Sequence, residues 1–205
     1  EPQSETNWHY ADEYKVPRLC FINKINQTGG DFYKSLASIR ERLSPQAVPV
    51  QLPLGFEKEV KGVVDLVKLK SYTYTDFTAK KLVEGDIPED MKAKAEQHRA
   101  ELIEKAVEID DALTEKYLNG EAITEAELIQ AIRQSTLAGK MYPVFGGDGR
   151  GVIVETILDA VVAYLPAPLD LPETPGHDPK YNSAISRKAD DNEPFSALAF
   201  KKASD

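Results

Sequence analysis

Three polar side chains at the end of an apolar run are the best candidates for ligand recognition in this sequence. Asn23, Lys24 and Asn26 directly follow the run 19–22 (Leu-Cys-Phe-Ile), which predicts a buried β-strand. They supply two amides and one ammonium group for directional hydrogen bonds. Each amide has one acceptor oxygen, whereas a carboxylate has two. Ligands of α/β folds sit at the carboxyl ends of strands, so this loop is a candidate binding site.

A second polar loop follows another predicted buried strand, Met141 to Phe145. Its sequence over 146–151 is Gly-Gly-Asp-Gly-Arg-Gly, with Asp148 as the acidic side chain and Gly149 as a backbone N–H donor. Two interpretations stay open: one wall of a ligand pocket, or a flexible strand-to-helix turn. The first loop has the same alternative, because Asn-Lys pairs are common in ordinary turns.

Five carboxylates share one face of a predicted long helix, Glu89 to Leu118. The opposite face carries apolar residues at helical spacing from Leu102 to Tyr117 and is the face that would be buried. The five carboxylates are Glu101, Glu104, Glu108, Asp111 and Glu115. They form either a solvated surface or a docking surface for a lysine-bearing helix. The histidines His9, His98 and His177 lack metal-ligand spacing.

The elements that position the two loops alternate between strand and helix. Ser4 is the predicted N-cap of the first helix, and apolar residues recur every three or four positions after Asp31. This order is typical of an α/β layer, a parallel sheet flanked by helices. The predicted elements are a helix over 1–17, a strand over 18–23, a helix from residue 31, a strand over 48–54, a strand over 141–145 and a helix over 152–165.

A block of different character interrupts this alternation. Gly55 to Thr78 alternates apolar and charged residues, which favours short antiparallel strands. The long helix follows, and Thr124 with Glu127 forms a capping box for another helix that reaches Gly139. The predicted organisation is α/β over 1–55, an inserted α+β subdomain over 56–138, the last α/β strand and helix over 139–165, a linker over 166–193 and the start of a β domain over 194–205.

Bulk properties exclude some classes of function. The 205 residues are 41% apolar, enough for one or two cores. The net charge of -9 argues against charge-driven binding of nucleic acid. Cys20 is the single cysteine, so no intrachain disulfide forms and a reducing cytoplasm is expected. No apolar run reaches the roughly 20 residues of a membrane helix. The start at Glu1 and the end in a predicted strand indicate a piece of a longer protein.

Several segments together resemble bacterial translation elongation factor G. The resemblance covers nearly the whole chain and implies the distal part of a P-loop GTPase domain, its inserted subdomain and the start of a β-barrel domain. The matching segments are Glu-Pro-Gln-Ser-Glu-Thr at 1–6, Lys-Val-Pro-Arg at 15–18, Asn-Lys at 23–24, Thr-Gly-Gly-Asp-Phe at 28–32, Gln-Leu-Pro-Leu-Gly at 51–55, Gly-Val-Val-Asp-Leu at 62–66 and Tyr-Leu-Pro-Ala-Pro-Leu-Asp at 164–170.

The resemblance implies a guanine site built from Asn23, Lys24, Asn26, Asp148 and Gly149. In that family the first loop ends in Asp, which accepts two hydrogen bonds from guanine, and the second loop has Ser and Ala. Here Asn26 replaces the Asp, Asp148 the Ser and Gly149 the Ala. Loss of the carboxylate at position 26 should cost about 2 to 4 kcal/mol against guanine. An amide there suits xanthine, whose extra oxygen accepts from the amide NH2.

The sequence contains no motif for phosphate binding or phosphoryl transfer. A phosphate loop of the form Gly-x4-Gly-Lys-Ser/Thr is missing from it. The resemblance places that loop and both magnesium-binding switches before residue 1. It therefore implies the base portion of a GTP/GDP site, Mg²⁺ held by parts outside the chain, and no catalytic residue within it.

The resemblance also implies partners and a role. Elongation factor G promotes GTP-dependent movement of tRNA and mRNA through the ribosome, and its inserted subdomain contacts the C-terminal domain of the ribosomal stalk protein. The expected partners are thus the ribosome and the stalk protein, with RNA contacts mainly through other domains, no membrane, and a cytoplasmic location. Two alternatives remain: an interaction module without nucleotide turnover, and a specialised paralogue of the factor.

Overall fold

The computed structural model describes residues 2–74, 82–149, 153–178 and 180–197. The chain divides into two units, Glu1–Leu165 and Pro166–Asp205. The helices and strands of the first unit are α1 (Pro2–Glu13), β1 (Cys20–Asn23), α2 (Phe32–Arg42), β2 (Ala47–Pro49), β3 (Gln51–Leu54), β4 (Gly62–Asp65), β5 (Lys70–Thr73), β6 (Val83–Gly85), α3 (Glu89–Val107), α4 (Asp111–Leu118), α5 (Glu125–Leu137), β7 (Tyr142–Gly147) and α6 (Val154–Tyr164).

A parallel sheet in the order β1-β7-β2 forms the α/β part of the first unit. All six residues of the central strand β7 are buried, as expected for a strand covered on both faces. Helices α2, α3 and α5 pack against the strands of this sheet. The predicted fold class, a parallel sheet flanked by helices within a mixed α/β chain, is confirmed.

The predicted single strand over 48–54 is two strands in two different sheets. β2 pairs with β7 in the parallel sheet, whereas β3 pairs with β4 in an antiparallel sheet of order β3-β4-β5-β6. Val50 lies between them: its N–H donates to the Val144 carbonyl at 3.0 Å, and its carbonyl accepts from the Leu66 N–H at 2.9 Å. The prediction of one strand was wrong because the extended segment changes hydrogen-bonding partner at Val50.

The antiparallel strands predicted after Gly55 are present as β4 and β5. β6 pairs with β5 and completes the four-stranded sheet. The end of the predicted strand region, residues 75–78, lies outside the described residues.

The predicted long helix over 89–118 is two helices, α3 and α4, separated by residues 108–110. Asp110 caps the second helix, since its Oδ1 accepts from the Ala112 and Leu113 N–H groups at 2.9 and 3.0 Å. An N-cap residue adopts extended backbone and so ends helical continuity. The single-helix prediction was wrong because Asp110 starts a new helix while the apolar spacing continues across the break.

Two predicted helix starts have opposite outcomes. The capping box of Thr124 and Glu127 at the start of α5 is confirmed in both directions, with the Thr124 N–H donating to Glu127 at 2.8 Å. Ser4 is not the N-cap of the first helix, because α1 already includes Pro2 and Gln3. Proline suits the first turn of a helix, where its missing N–H has no partner to lose.

The second unit contains a two-stranded antiparallel hairpin, β8 (Thr174–His177) and β9 (Ala184–Arg187). The sequence predicts only a linker over 166–193. The hairpin was missed because most of its side chains are exposed, so its strands show no apolar period in the sequence. The sequence predicts that a β domain starts at residue 194. Residues 194–197 form no strand, and residues 198–205 lie outside the described residues.

Candidate functional site

The two predicted polar loops lie side by side because their strands are neighbours. β1 and β7 run parallel, with Asn23 opposite Gly147 at their carboxyl ends. The loop after β1 is also tied to the end of β7 by the Ile25 N–H, which donates to the Gly147 carbonyl at 3.3 Å. This edge of the sheet is where ligands bind in folds of this class.

Asn23 joins the two loops through its side chain. Its Oδ1 accepts from the Lys24 N–H and from the Gly149 N–H, both at 2.9 Å. Lys24 takes a left-handed backbone conformation with φ of 62° and is exposed. The Gly149 N–H, which the resemblance assigns to the base, is donated to Asn23 in this structure.

Asn26 and Asp148 form a buried hydrogen bond across the two loops. The Asn26 Nδ2 donates to the Asp148 Oδ2 at 2.9 Å, and the Gln27 Nε2 donates to the Asn26 Oδ1 at 3.3 Å. Asn26 is 8% exposed and Asp148 is 7% exposed. A hydrogen bond to an ionised carboxylate is stronger than one between neutral groups. Asn26 and Asp148, which are 122 residues apart in sequence, thus act as one pair.

Residues next to the antiparallel sheet reach the buried side of this pair. Tyr74 and Val60 border a void of about 10 Å³ together with Asn26 and Asp148. Burial and then the Asp148 carboxylate raise the pKa of Tyr74, whose hydroxyl donates to the Val60 carbonyl at 2.8 Å. A void of this size holds at most about one water molecule. A nucleobase therefore has to contact the pair at its exposed edge or displace it.

The first two glycines of the second loop belong to strand β7 and not to a turn. A Cβ on Gly146 would lie 2.6 Å from the Phe32 Cδ2, and one on Gly147 would lie 3.1 Å from the Phe21 Cζ. The absence of a side chain at these two positions therefore lets the Phe32 and Phe21 rings pack directly against β7. Residues 150 and 151, which complete the glycine-rich run, lie outside the described residues.

The five predicted partner-binding carboxylates do not share one helix. Glu101 is half-buried and pairs with Arg40 of α2 and with His98, whose Nδ1 lies 3.3 Å from a Glu101 oxygen. Nothing in the sequence pattern singled out Arg40. The other four are exposed and are called the acidic surface: Glu104 on α3, Glu108 at its end, and Asp111 and Glu115 on α4.

The first loop is also hydrogen-bonded at its far end to the segment between β3 and β4. The Gly29 N–H donates to the Glu57 Oε1 at 2.7 Å. Glu57 lies in a short 3-10 turn, Glu57–Glu59, between β3 and β4. No sequence pattern indicated this contact, which connects the candidate site to the antiparallel sheet.

The described ranges contain neither a metal-binding cluster nor a membrane-spanning helix. Within residues 2–74, 82–149, 153–178 and 180–197, no group of three or more His, Cys, Asp and Glu side chains could hold a metal ion. No helix in those same ranges is long and apolar enough to cross a membrane. The chemistry that the described loops offer is hydrogen bonding by amide, carboxylate and backbone groups.

Comparison with known proteins adds two findings. The family model described as the elongation factor Tu GTP binding domain matches residues 1–167. A crystal structure from Thermus thermophilus is similar to this chain, with 30% sequence identity and a TM-score of 0.72. The match covers 83% of this chain and 26% of the Thermus chain. The chain thus spans about a quarter of the length of that relative.

Proposed function

The chain belongs to the elongation factor Tu GTP-binding domain family, and on this premise we propose that it forms the base-recognising part of a translational GTPase of the elongation factor G type. The whole protein would use GTP on the ribosome to move tRNA and mRNA. The contact that carries this proposal is the Asn23 bridge to Gly149, which joins the loops after β1 and β7 at 2.9 Å.

The proposed roles follow from the positions of the side chains. Asn23 fixes the two loops, exposed Lys24 covers one face of the base, and Asn26 with Asp148 provides hydrogen-bonding groups for its edge. GTP hydrolysis additionally needs phosphate-binding and magnesium-binding groups. In this proposal the described loop residues orient the base. In this proposal 1–55 and 139–165 are the GTPase part and 56–138 is the inserted subdomain.

A titration of fluorescent GDP against the full-length protein tests base binding. We expect Asn23→Ala to weaken GDP binding by about tenfold or more, because the variant frees the loop after β7. Asn7→Ala, at an exposed position of α1, is the control and should leave the affinity unchanged. Equal affinities for the two variants would contradict the assigned role of Asn23.

The same titration separates the second candidate function from the first. One observation favours an interaction module without turnover: the void beside Asn26 is smaller than a base. Ribosome binding without detectable GDP binding by the unmodified protein would support that module and contradict the GTPase.

We further propose that the acidic surface binds the C-terminal domain of the ribosomal stalk protein. Glu104, Glu108, Asp111 and Glu115 are exposed and face solvent from two consecutive helices. Glu101 is left out, because it is half-buried and its carboxylate is turned to Arg40 of α2. Pairs between exposed charges contribute little individually and weaken with salt. The proposal therefore predicts weak, salt-sensitive binding.

Charge reversal tests this surface. We expect the double variant Glu104→Lys and Glu108→Lys to weaken stalk binding by about tenfold at low salt and by less at high salt. The matched control reverses two exposed glutamates elsewhere, Glu13 and Glu41. Binding can be followed by titrating the full-length protein with the labelled stalk domain. A similar loss in both double variants would show that only net charge matters and would contradict a defined surface.

A further inference from the structure

The buried pair Asn26 and Asp148 contains one carboxylate, which belongs to Asp148. Asn26 is neutral and points its amide NH2 at the Asp148 Oδ2, 2.9 Å away. Burying an ionised carboxylate is unfavourable unless hydrogen bonds compensate it. The amide of Asn26 donates such a bond and thereby helps to fix the position of the Asp148 carboxylate.

Relative to the pattern implied by the resemblance, the carboxylate of this pair has moved from the loop after β1 to the loop after β7. In the pattern implied by the resemblance, the carboxylate follows β1 at position 26 and a hydroxyl follows β7 at position 148. Here the amide is at position 26 and the carboxylate at position 148. Since β1 and β7 are paired in parallel, residues after their carboxyl ends lie within reach of the same ligand.

We propose that Asp148, held by Asn26, is the base-specificity residue of this site and recognises the guanine edge in place of a carboxylate at position 26. This inference rests on the proposed guanine-binding function. Guanine presents two donors on that edge, N1–H and the 2-amino group, and a carboxylate accepts from both. Xanthine has an oxygen in place of the amino group, so a carboxylate disfavours it. Selection of guanine through Asp148 is thus the opposite of the xanthine preference that Asn26 alone predicts.

A second carboxylate at position 26 tests the exchange directly. Asn26→Asp places two carboxylates in hydrogen-bonding range with little exposure, and like charges disfavour ionisation of both. The variant should therefore bind guanine less tightly than the unmodified protein. Adding Asp148→Ser removes the repulsion and restores the arrangement with the carboxylate after β1. The double variant should recover guanine binding, which makes the two substitutions strongly non-additive.

The experiment uses the full-length protein and three fluorescent nucleotides, GDP, XDP and IDP, with urea unfolding of every variant as the measure of folding. Asp148→Asn should weaken GDP by about 30-fold or more and reduce the preference for GDP over XDP and over IDP, which lacks the 2-amino group. Asp90→Asn, an exposed charge on α3, is the control and should change neither. The double variant at positions 26 and 148 should bind GDP within a few-fold of the unmodified protein.

Three outcomes would overturn the inference. Unchanged GDP affinity and selectivity in folded Asp148→Asn would make the pair purely structural. Tighter GDP binding by Asn26→Asp alone would show that position 26 meets the base. Absence of GDP, XDP and IDP binding by the unmodified protein would overturn the proposed function together with this inference, whereas GDP binding that ignores Asp148 overturns this inference alone.

Discussion

Leu102→Ala is expected to lower the free energy of unfolding by about 2 to 5 kcal/mol. Leu102 lies on α3 and is 0% exposed. α3 packs against α5, which contributes the fully buried Leu128 and Ile132 to the same core. Removing three carbon atoms there forfeits burial and leaves a cavity that the surrounding side chains fill only in part.

Urea unfolding of Leu102→Ala beside Leu118→Ala measures this effect. Leu118 is the matched control, because it lies at the end of α4 and is 77% exposed. The control should change the free energy of unfolding by about 0.5 kcal/mol or less. A Leu102 effect no larger than the Leu118 effect would contradict the packing of α3 on α5, and with it the support of the acidic surface.

Gly146→Ala is expected to cost about 1 to 3 kcal/mol of stability through overpacking. The new Cβ would lie 2.6 and 2.9 Å from two carbons of the Phe32 ring. Phe32 is 2% exposed and begins α2, so the ring has little space to move away. Because Asp148 follows two residues later, we also expect weaker GDP binding by the full-length protein.

Gly176→Ala is the matched control for the glycine substitution. Its Cβ would meet nothing closer than the Ile185 Cγ1 at 3.9 Å, and its φ is not positive. Thermal or urea unfolding should therefore show little change for this variant. Equal behaviour of the two glycine variants would mean that Phe32 does not pack on Gly146 as described.

The parts of the fold that repeat locally could be predicted from sequence. The apolar run 19–22, the helix after Asp31 and the capping box at Thr124 are patterns contained in a few neighbouring residues. The break between α3 and α4 and the division of 48–54 were missed for a different reason. At Asp110 and Val50 the apolar pattern continues, while a cap or a change of strand partner redirects the backbone.

The positions of the two loops at strand ends could be predicted from sequence, but the contacts between them could not. The strand-end positions of Asn23 and Asp148 follow from the α/β order of the chain. The hydrogen bond between Asn26 and Asp148 depends on the parallel pairing of β1 and β7, which one sequence does not reveal. The same holds for the neutralisation of Glu101 by Arg40, since these residues meet only when α2 and α3 pack in space.

Val50 and Gln51 have a mechanical consequence for the first unit. Val50 is hydrogen-bonded to both sheets, and the buried Gln51 Nε2 donates to the Gly146 carbonyl at 3.0 Å while its Oε1 accepts from Thr156 of α6. A shift in the register of the antiparallel sheet would therefore break or displace the hydrogen bonds that Val50 and Gln51 make with β7. A displacement of the antiparallel sheet would thus be passed through Val50 and Gln51 to β7, the strand that ends directly before Asp148.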